Sequence, residues 1–264
     1  MGRETALRMP LSGWDRLRRL LDRKVVDVAA LLRAQQMVKS PAEIALIETA
    51  CAIAGRAFAR VPSIAHPGVP LDAVFRRFQA LLLEEGADCV AYIAGAAQPG
   101  GYDDVISPAG PAPLQRADVL MLDTGAVHQG YFCDFNRNWS LGAPAPEIAE
   151  AHRILHDAAL AAAAIARPGA IMADLHAAMM AVLEPRAAGP VRGRLGHGLG
   201  MRLTEPPSLI PADRTQLRPG MVLTLEPALP LPGGKLIVHE ENIAITADGP
   251  RWLSPPAPRE IPRI

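Results

Sequence analysis

Residues 118–138 read DVLMLDTGAVHQGYFCDFNRN, and the reading of this run decides the fold. It has the pattern of two strands joined by a tight turn. With the turn placed at His128-Gln129, Asp123 falls opposite Asp134. Directly opposed residues share a face of the hairpin, with Cβ atoms about 5 Å apart. Asp123 follows the apolar run VLML, so that face is expected to be buried. Two carboxylates so placed cannot both stay ionised away from water unless something cationic lies between them.

Working outward, a second pair of strands repeats the arrangement. LRPGMVLTLEPAL and GKLIVHEENIAIT are joined through Pro232-Gly233-Gly234, and centring the turn on Gly233 sets Glu226 opposite Glu240. Both glutamates close apolar runs, MVLTL and KLIVH. Between the hairpins lies Gly196-His197-Gly198-Leu199-Gly200, in which glycines let the backbone pass close to a site and leave the imidazole uncrowded. Four carboxylates and one imidazole are an oxygen-dominated set suited to two divalent ions such as Mn²⁺, Co²⁺, Fe²⁺ or Zn²⁺. Four negative charges balance two such ions, and a water bridging them would be acidified into a nucleophile.

The remaining elements follow from caps and periodicity. Ser40-Pro41-Ala42-Glu43 is a helix start, with a Ser cap, Pro at the first helical position and Glu three residues after the cap. Apolar spacing carries that helix to about Arg60, and a second is expected from Leu71 to Glu85, stopping at Gly86. Residues 87–95 read as a strand and 96–117, rich in Gly and Pro, as loop. Two more helices are expected at about 146–166 and 171–184. Residues 1–39 read as a small helix or strand fragment and a linker. The order of helix pair then hairpin occurs twice, which predicts an α+β protein of two similar halves with a mainly antiparallel sheet.

Composition narrows the function classes. In 264 residues there are 27 Lys plus Arg and 27 Asp plus Glu, a zero formal charge that argues against a nucleic-acid partner. Half the residues are hydrophobic and a fifth charged, as in globular proteins. The longest apolar stretch, AALAAAAIA at 158–166, is far too short for a membrane span, and the charged N-terminus offers no signal-peptide core. Three cysteines without a CxxC pairing suggest neither a disulfide framework nor a thiolate zinc site, so a cytoplasmic location is expected. His152 and His156, four apart on a helix, lack a catalytic Glu between them and read as a solvent-facing pair. Cys133 and His239 each adjoin a candidate ligand in a strand, and alternation points them to the other face.

Together, LMLDTGAVHQGYFCDFNRN, GHGLGMRLTEPPS, VLTLEPAL and HEENIAIT resemble the successive signatures of the M24 metallopeptidases, the group of Xaa-Pro aminopeptidase, prolidase and methionine aminopeptidase. The resemblance covers roughly residues 38–250. It implies the pita-bread fold, two pseudo-symmetric halves with a curved sheet and outer helices around a dinuclear metal centre. Asp123, Asp134, His197, Glu226 and Glu240 fall on the five ligand positions, with Asp134 and Glu240 bridging both ions. It implies two divalent cations, Mn²⁺ foremost, a small peptide or small-molecule substrate, no nucleic acid or membrane partner, and a homodimer. Residues 1–37 resemble the tail of the N-terminal domain of the Xaa-Pro aminopeptidase and creatinase-like members, leaving 38–264 as the catalytic domain.

The implied reaction is hydrolysis of a peptide bond near the N-terminus, as in an Xaa-Pro aminopeptidase or dipeptidase, by a metal-bridging hydroxide. Glu226 would shuttle the proton to the leaving amine, His197 would serve from the metal set, and Thr204 would contact substrate. The chain departs from the family where peptidase members usually carry histidine: Thr204 precedes Glu205-Pro206, and Ile106 aligns with the other position. Thr204 offers a hydrogen bond but no proton that titrates near pH 7. The departures fit an alternative, a non-peptide substrate as in creatinase, ectoine hydrolase or dimethylsulfoniopropionate lyase. A binding module without catalysis is the third reading, opposed by retention of all five ligand positions.

Overall fold

A computed structural model describes residues 9–106 and 109–264 of the chain. Two short helices, α1 (Leu11–Leu20) and α2 (Ala29–Gln36), open it and bury no residue. The long helix α3 (Pro41–Ala59) begins where the sequence places it. The Ser40 hydroxyl accepts from the Glu43 N–H at 3.3 Å, and the Glu43 carboxylate accepts from the Ser40 N–H at 2.7 Å. Its buried side, Ile47, Ala50, Cys51, Ala54 and Phe58, has helical spacing and packs with α4 (Leu71–Glu84) against the first sheet. Phe58 anchors this half, with ring centroids 4.8 Å from Phe78 and 5.1 Å from Phe135.

That sheet consists of β1 (Cys89–Pro99), β2 (Asp118–His128) and a returning strand in two pieces, β3 (Tyr131–Phe132) and β4 (Phe135–Ser140), both paired antiparallel to β2. β1 runs four residues beyond the expected strand, since residues 96–99 stay paired with 118–121. The turn of the first hairpin is also corrected. His128 pairs with Tyr131, leaving Gln129-Gly130 as the two-residue loop. Both loop residues have positive φ, 47° and 82°, the conformation that matches strand twist and that Gly130 adopts without strain. The register therefore moves by two residues, and Asp123 lies opposite Asn136 rather than Asp134. A shift of two preserves the face, so Asp123 and Asp134 remain on the same side.

The second half repeats the plan. Helices α5 (Pro146–Ile165) and α6 (Met172–Leu183) pack on one another, and the buried side of α5 is rich in small residues, Ala151, Ala158, Ala159 and Ala162. They cover a five-stranded sheet in the order β11 (Gly249–Trp252), β10 (Glu241–Thr246), β7 (Val222–Leu225), β5 (His197–Gly198), β6 (Glu205–Ser208). The strands β8 (Ala228–Pro230) and β9 (Leu236–Val238) form a separate ribbon. Here the expected register holds: Leu225 pairs with Glu241 and Ala228 with Val238, so Glu226 and Glu240 sit at the break between sheet and ribbon. The chain has the pita-bread fold, with one apolar cluster under α3 and α4 and another under α5 and α6, each drawing residues from both halves. No helix of the described residues is long and apolar enough to cross a membrane.

Candidate metal centre

The five residues expected to act as ligands come from both halves, four of them from breaks and strand ends and Asp123 from within a strand. Asp123 is on β2, Asp134 in the gap between β3 and β4, His197 opens β5, and Glu226 and Glu240 lie at the ends of β7 and β9. All five line one cavity of about 450 Å³, toward the lower end of the range for small-molecule sites. The β3–β4 gap stays in place through Asn242 on β10, fully buried. Its side-chain oxygen accepts the Asp134 N–H at 3.0 Å, and its amide donates to the Asp134 carbonyl. Asp134's backbone is thus satisfied from the other half. Arg137 adds a second tie, donating to the Glu240 carbonyl at 3.0 Å and to the Glu241 carboxylate at 2.9 Å.

His197 owes its position to its glycine neighbours. A Cβ on Gly196 would come within 2.3 Å of the Thr224 carbonyl oxygen, and one on Gly198 within 2.2 Å of the Pro206 carbonyl oxygen. Only glycines let β5 fit between β6 and β7. The His197 N–H donates to the Thr224 hydroxyl at 3.0 Å. Its Nδ1 faces the Gly198 carbonyl at 2.8 Å; a carbonyl only accepts, so Nδ1 carries the proton. Nε2 then presents a bare lone pair 3.3 Å from Asp134 Oδ2 and 3.6 Å from Glu226 Oε1. Burial lowers the His197 pKa and favours this neutral form.

A lone pair aimed at carboxylate oxygens is repulsive unless a cation or a shared proton lies between them. The acids point the same way. Withdrawal from water, then the charges of Asp134 and Glu226, push the Asp123 carboxyl well above its ordinary range. Burial raises Glu240 likewise, reinforced by Asp134, Asp123 and Glu226. Asp134 is pushed up to about 8 by burial, and Glu226 is raised for the same reason, against the opposing pull of its neighbours His197, when protonated, and Arg194. Asp123 Oδ1 and Glu240 Oε1 are buried with no hydrogen-bond partner among the described residues. Among the described residues, the group with three ligand atoms within 4.8 Å of one another is Asp134, His197 and Glu240. This donor set fits divalent cations.

Thr204 and Ile106 also line the cavity. Residues with no motif complete it. Arg194 approaches Glu226 Oε1 with Nε at 3.1 Å and the Thr204 hydroxyl with Nη2 at 3.4 Å. Its place three residues before His197 was the available signal. Tyr92 on β1 stands beside Asp123, where burial and the neighbouring carboxylates raise its phenol pKa. The solvent-facing expectation for His152 and His156 is overturned. His152 is 1% exposed with Nε2 at 3.1 Å from the Pro258 carbonyl, and both rings stand edge-on to His239 at 6.1 Å. The C-terminal segment covers a helix face that the isolated helix would leave to water. Cys133 is fully buried in the core, as alternation predicts, whereas His239, which pairs with Glu241 at 3.4 Å, also lines the cavity, because the chain breaks out of strand at Glu240 and alternation does not carry through the break.

Comparison with known proteins agrees with this geometry. The chain is 32% identical over 238 residues to the Xaa-Pro dipeptidase of Pyrococcus horikoshii, covering 88% of this chain and 66% of that protein. It is 31% identical over 227 residues to the probable dipeptidase PepE of Mycobacterium tuberculosis, covering 83% and 59%. The chain thus spans about three fifths to two thirds of the length of these relatives. The crystal structure of the X-Pro aminopeptidase of Thermotoga maritima superposes with a TM-score of 0.90 at 28% identity, covering 97% of this chain and 73% of that one. Residues 45–247 match the profile of metallopeptidase family M24, and the chain belongs to that family.

Proposed function

We propose that this cavity hydrolyses a peptide bond near the N-terminus of a short substrate, in the manner of an Xaa-Pro aminopeptidase or dipeptidase. The supporting observation is the convergence of five ligand-type residues from both halves on one cavity, with Asp123 Oδ1 and Glu240 Oε1 buried and without a hydrogen-bond partner among the described residues. In this reading Asp123, Asp134, His197, Glu226 and Glu240 would hold two divalent cations. Bound there, the cations supply a Lewis acid for the scissile carbonyl and acidity for water.

The chain's own groups supply orientation and proton handling. The Nδ1–H bond of His197 to the Gly198 carbonyl keeps Nε2 free as a donor atom. Arg194 fixes Glu226 through Oε1, and Glu226 takes up and releases the proton that must reach the leaving amine. Thr204 offers its hydroxyl to the substrate, and Ile106 and Leu203 limit water at the cavity wall. Mn²⁺ as the native metal, a cytoplasmic location and a homodimer belong to the same proposal. Metal content after purification, cell fractionation and sedimentation test them.

The test of function is turnover of Xaa-Pro di- and tripeptides by Mn²⁺-reconstituted protein, read by mass spectrometry, with Asp123→Asn as blank. Release of the N-terminal residue, absent from the blank, is the expected result. A protein that holds two metals and releases nothing refutes the peptide reading. That outcome favours the non-peptide alternative, which the Thr204 and Ile106 positions support, and small amides and sulfonium acids become the next substrates.

A further inference from the structure

Three of the seven histidines gather at one place outside the five-residue ligand set. His152 and His156 lie one turn apart on α5, a spacing that puts both on one face of the helix. The rings of both stand 6.1 Å from that of His239, which follows β9.

Each of the three imidazoles has one nitrogen turned to an oxygen. His152 Nε2 meets the Pro258 carbonyl at 3.1 Å, His239 Nε2 the Glu241 carboxylate at 3.4 Å, and His156 Nδ1 the Asp157 carboxylate at 3.5 Å. Such oxygens take the N–H of a neutral imidazole and leave the opposite nitrogen as a lone pair: His152 Nδ1, His239 Nδ1 and His156 Nε2. Burial lowers the pKa of His152 and of His239, which favours the neutral form. The two carboxylates are held in turn, Glu241 by Arg137 at 2.9 Å and Asp157 by Arg259 at 2.8 Å. An imidazole tethered through one nitrogen and bare at the other is the form in which proteins offer histidine to a metal. His152 Nδ1 is moreover buried with no hydrogen-bond partner among the described residues.

The spacing is slightly open for an ion. With Zn–N near 2 Å, a tetrahedral ion sets the centres of two imidazoles about 5 Å apart. Here they are 6.1 Å apart, and the three bare nitrogens do not all lie within 4.8 Å of one another. Ring movements of about 1 Å close that gap. His152 and His239 also line a second cavity, of about 200 Å³, with room for a water as fourth ligand. The His156 side chain, 18% exposed, gives access from solvent.

We propose that His152, His156 and His239 form a second metal site, separate from the carboxylate-rich centre, that takes a nitrogen-preferring divalent ion of the Zn²⁺, Ni²⁺ or Cu²⁺ class. Three neutral imidazoles suit those ions, whereas Mn²⁺ favours oxygen donors. The site stands whatever reaction the first cavity performs.

The test loads wild type, His156→Gln, Asp157→Asn and Asp123→Asn with Mn²⁺, dialyses each to equilibrium against Zn²⁺, and counts all bound metal by mass spectrometry. Wild type is expected to hold one ion more than His156→Gln, with equal circular dichroism and equal Mn²⁺ content before Zn²⁺ is added. Asp123→Asn keeps the His156-dependent ion. Asp157→Asn, which frees the His156 ring, raises the Kd for that ion about tenfold to a hundredfold. Equal total metal in wild type and folded His156→Gln overturns the proposal. Should His156→Gln fail to fold, an unchanged Kd in Asp157→Asn overturns it instead. A wild type that binds a single ion, lost in His156→Gln and kept in Asp123→Asn, removes the dinuclear reading and leaves this site standing.

Discussion

Replacing Lys39 by Met should unfold this protein at a much lower temperature, and replacing its partner as well should restore most of the loss. Lys39 Nζ lies 2.8 Å from Glu205 Oε2, with the two side chains only 3% and 4% exposed. The pair joins the segment before α3 to β6, beside Thr204, and the Lys39 N–H donates to the Gly220 carbonyl at 2.8 Å. Space around it is tight, since a Cβ on Gly200 would fall 2.8 Å from both Glu205 oxygens and from Lys39 Cε. Removing one member strands a buried charge, which costs about 3–5 kcal/mol. At about 2–4 °C per kcal/mol for a chain near this size, Lys39→Met should lower Tm by about 6–20 °C. Lys39→Met with Glu205→Met removes both charges together. Its residual cost is the bond that Glu205 Oε1 accepts from the Arg202 N–H at 3.2 Å, about 1 kcal/mol. Thermal unfolding followed by circular dichroism gives the double-mutant cycle. A loss under about 1 kcal/mol for Lys39→Met, or a double variant that loses the sum of the two singles, refutes the reasoning.

Two further outcomes follow from the centre itself. In metal-free protein the Asp134 carboxyl is pushed up to about 8 from an ordinary 3.8; a raised folded-state pKa contributes stability that is complete below about pH 4 and lost as pH climbs toward 8. Metal-free Tm should therefore fall between pH 5 and 8 and Mn²⁺ should raise it more at pH 8; a flat metal-free profile contradicts this. Gly196→Ala places a Cβ 2.3 Å from the Thr224 carbonyl oxygen and should cost about 1–3 kcal/mol while lowering metal occupancy, so wild-type Tm and metal content in this variant would show that β5 has room to spare.

Much of the candidate centre was legible because Asp123, Glu226 and Glu240 each follow an apolar run in or beside a strand. Alternation along a strand assigns a face from neighbours alone, which is why Asp123 and Asp134 were paired correctly in face though not in register. The error arose at the turn: His128-Gln129 and Gln129-Gly130 are both two-residue loops, and only the backbone conformation, positive φ at both loop positions, selects the second. The second hairpin escaped this ambiguity because Gly233 centres the turn, and its register held through the break at Glu226 and Glu240. The burial of His152 was not legible, since the covering carbonyl of Pro258 is 106 residues away.

By itself, the sequence determined the helix starts, the two hairpins, the five ligand-type residues and the family, all of which depend on caps, periodicity and spacing within short stretches. The tertiary structure decided what those stretches meet. It brought Asn242 to the backbone of Asp134, Lys39 to Glu205 across 166 residues, and Arg194 to Glu226. It also set His152 and His156 against His239. Contacts between distant segments leave no local pattern in the chain, because they depend on how two sheets and two helix pairs close on one another.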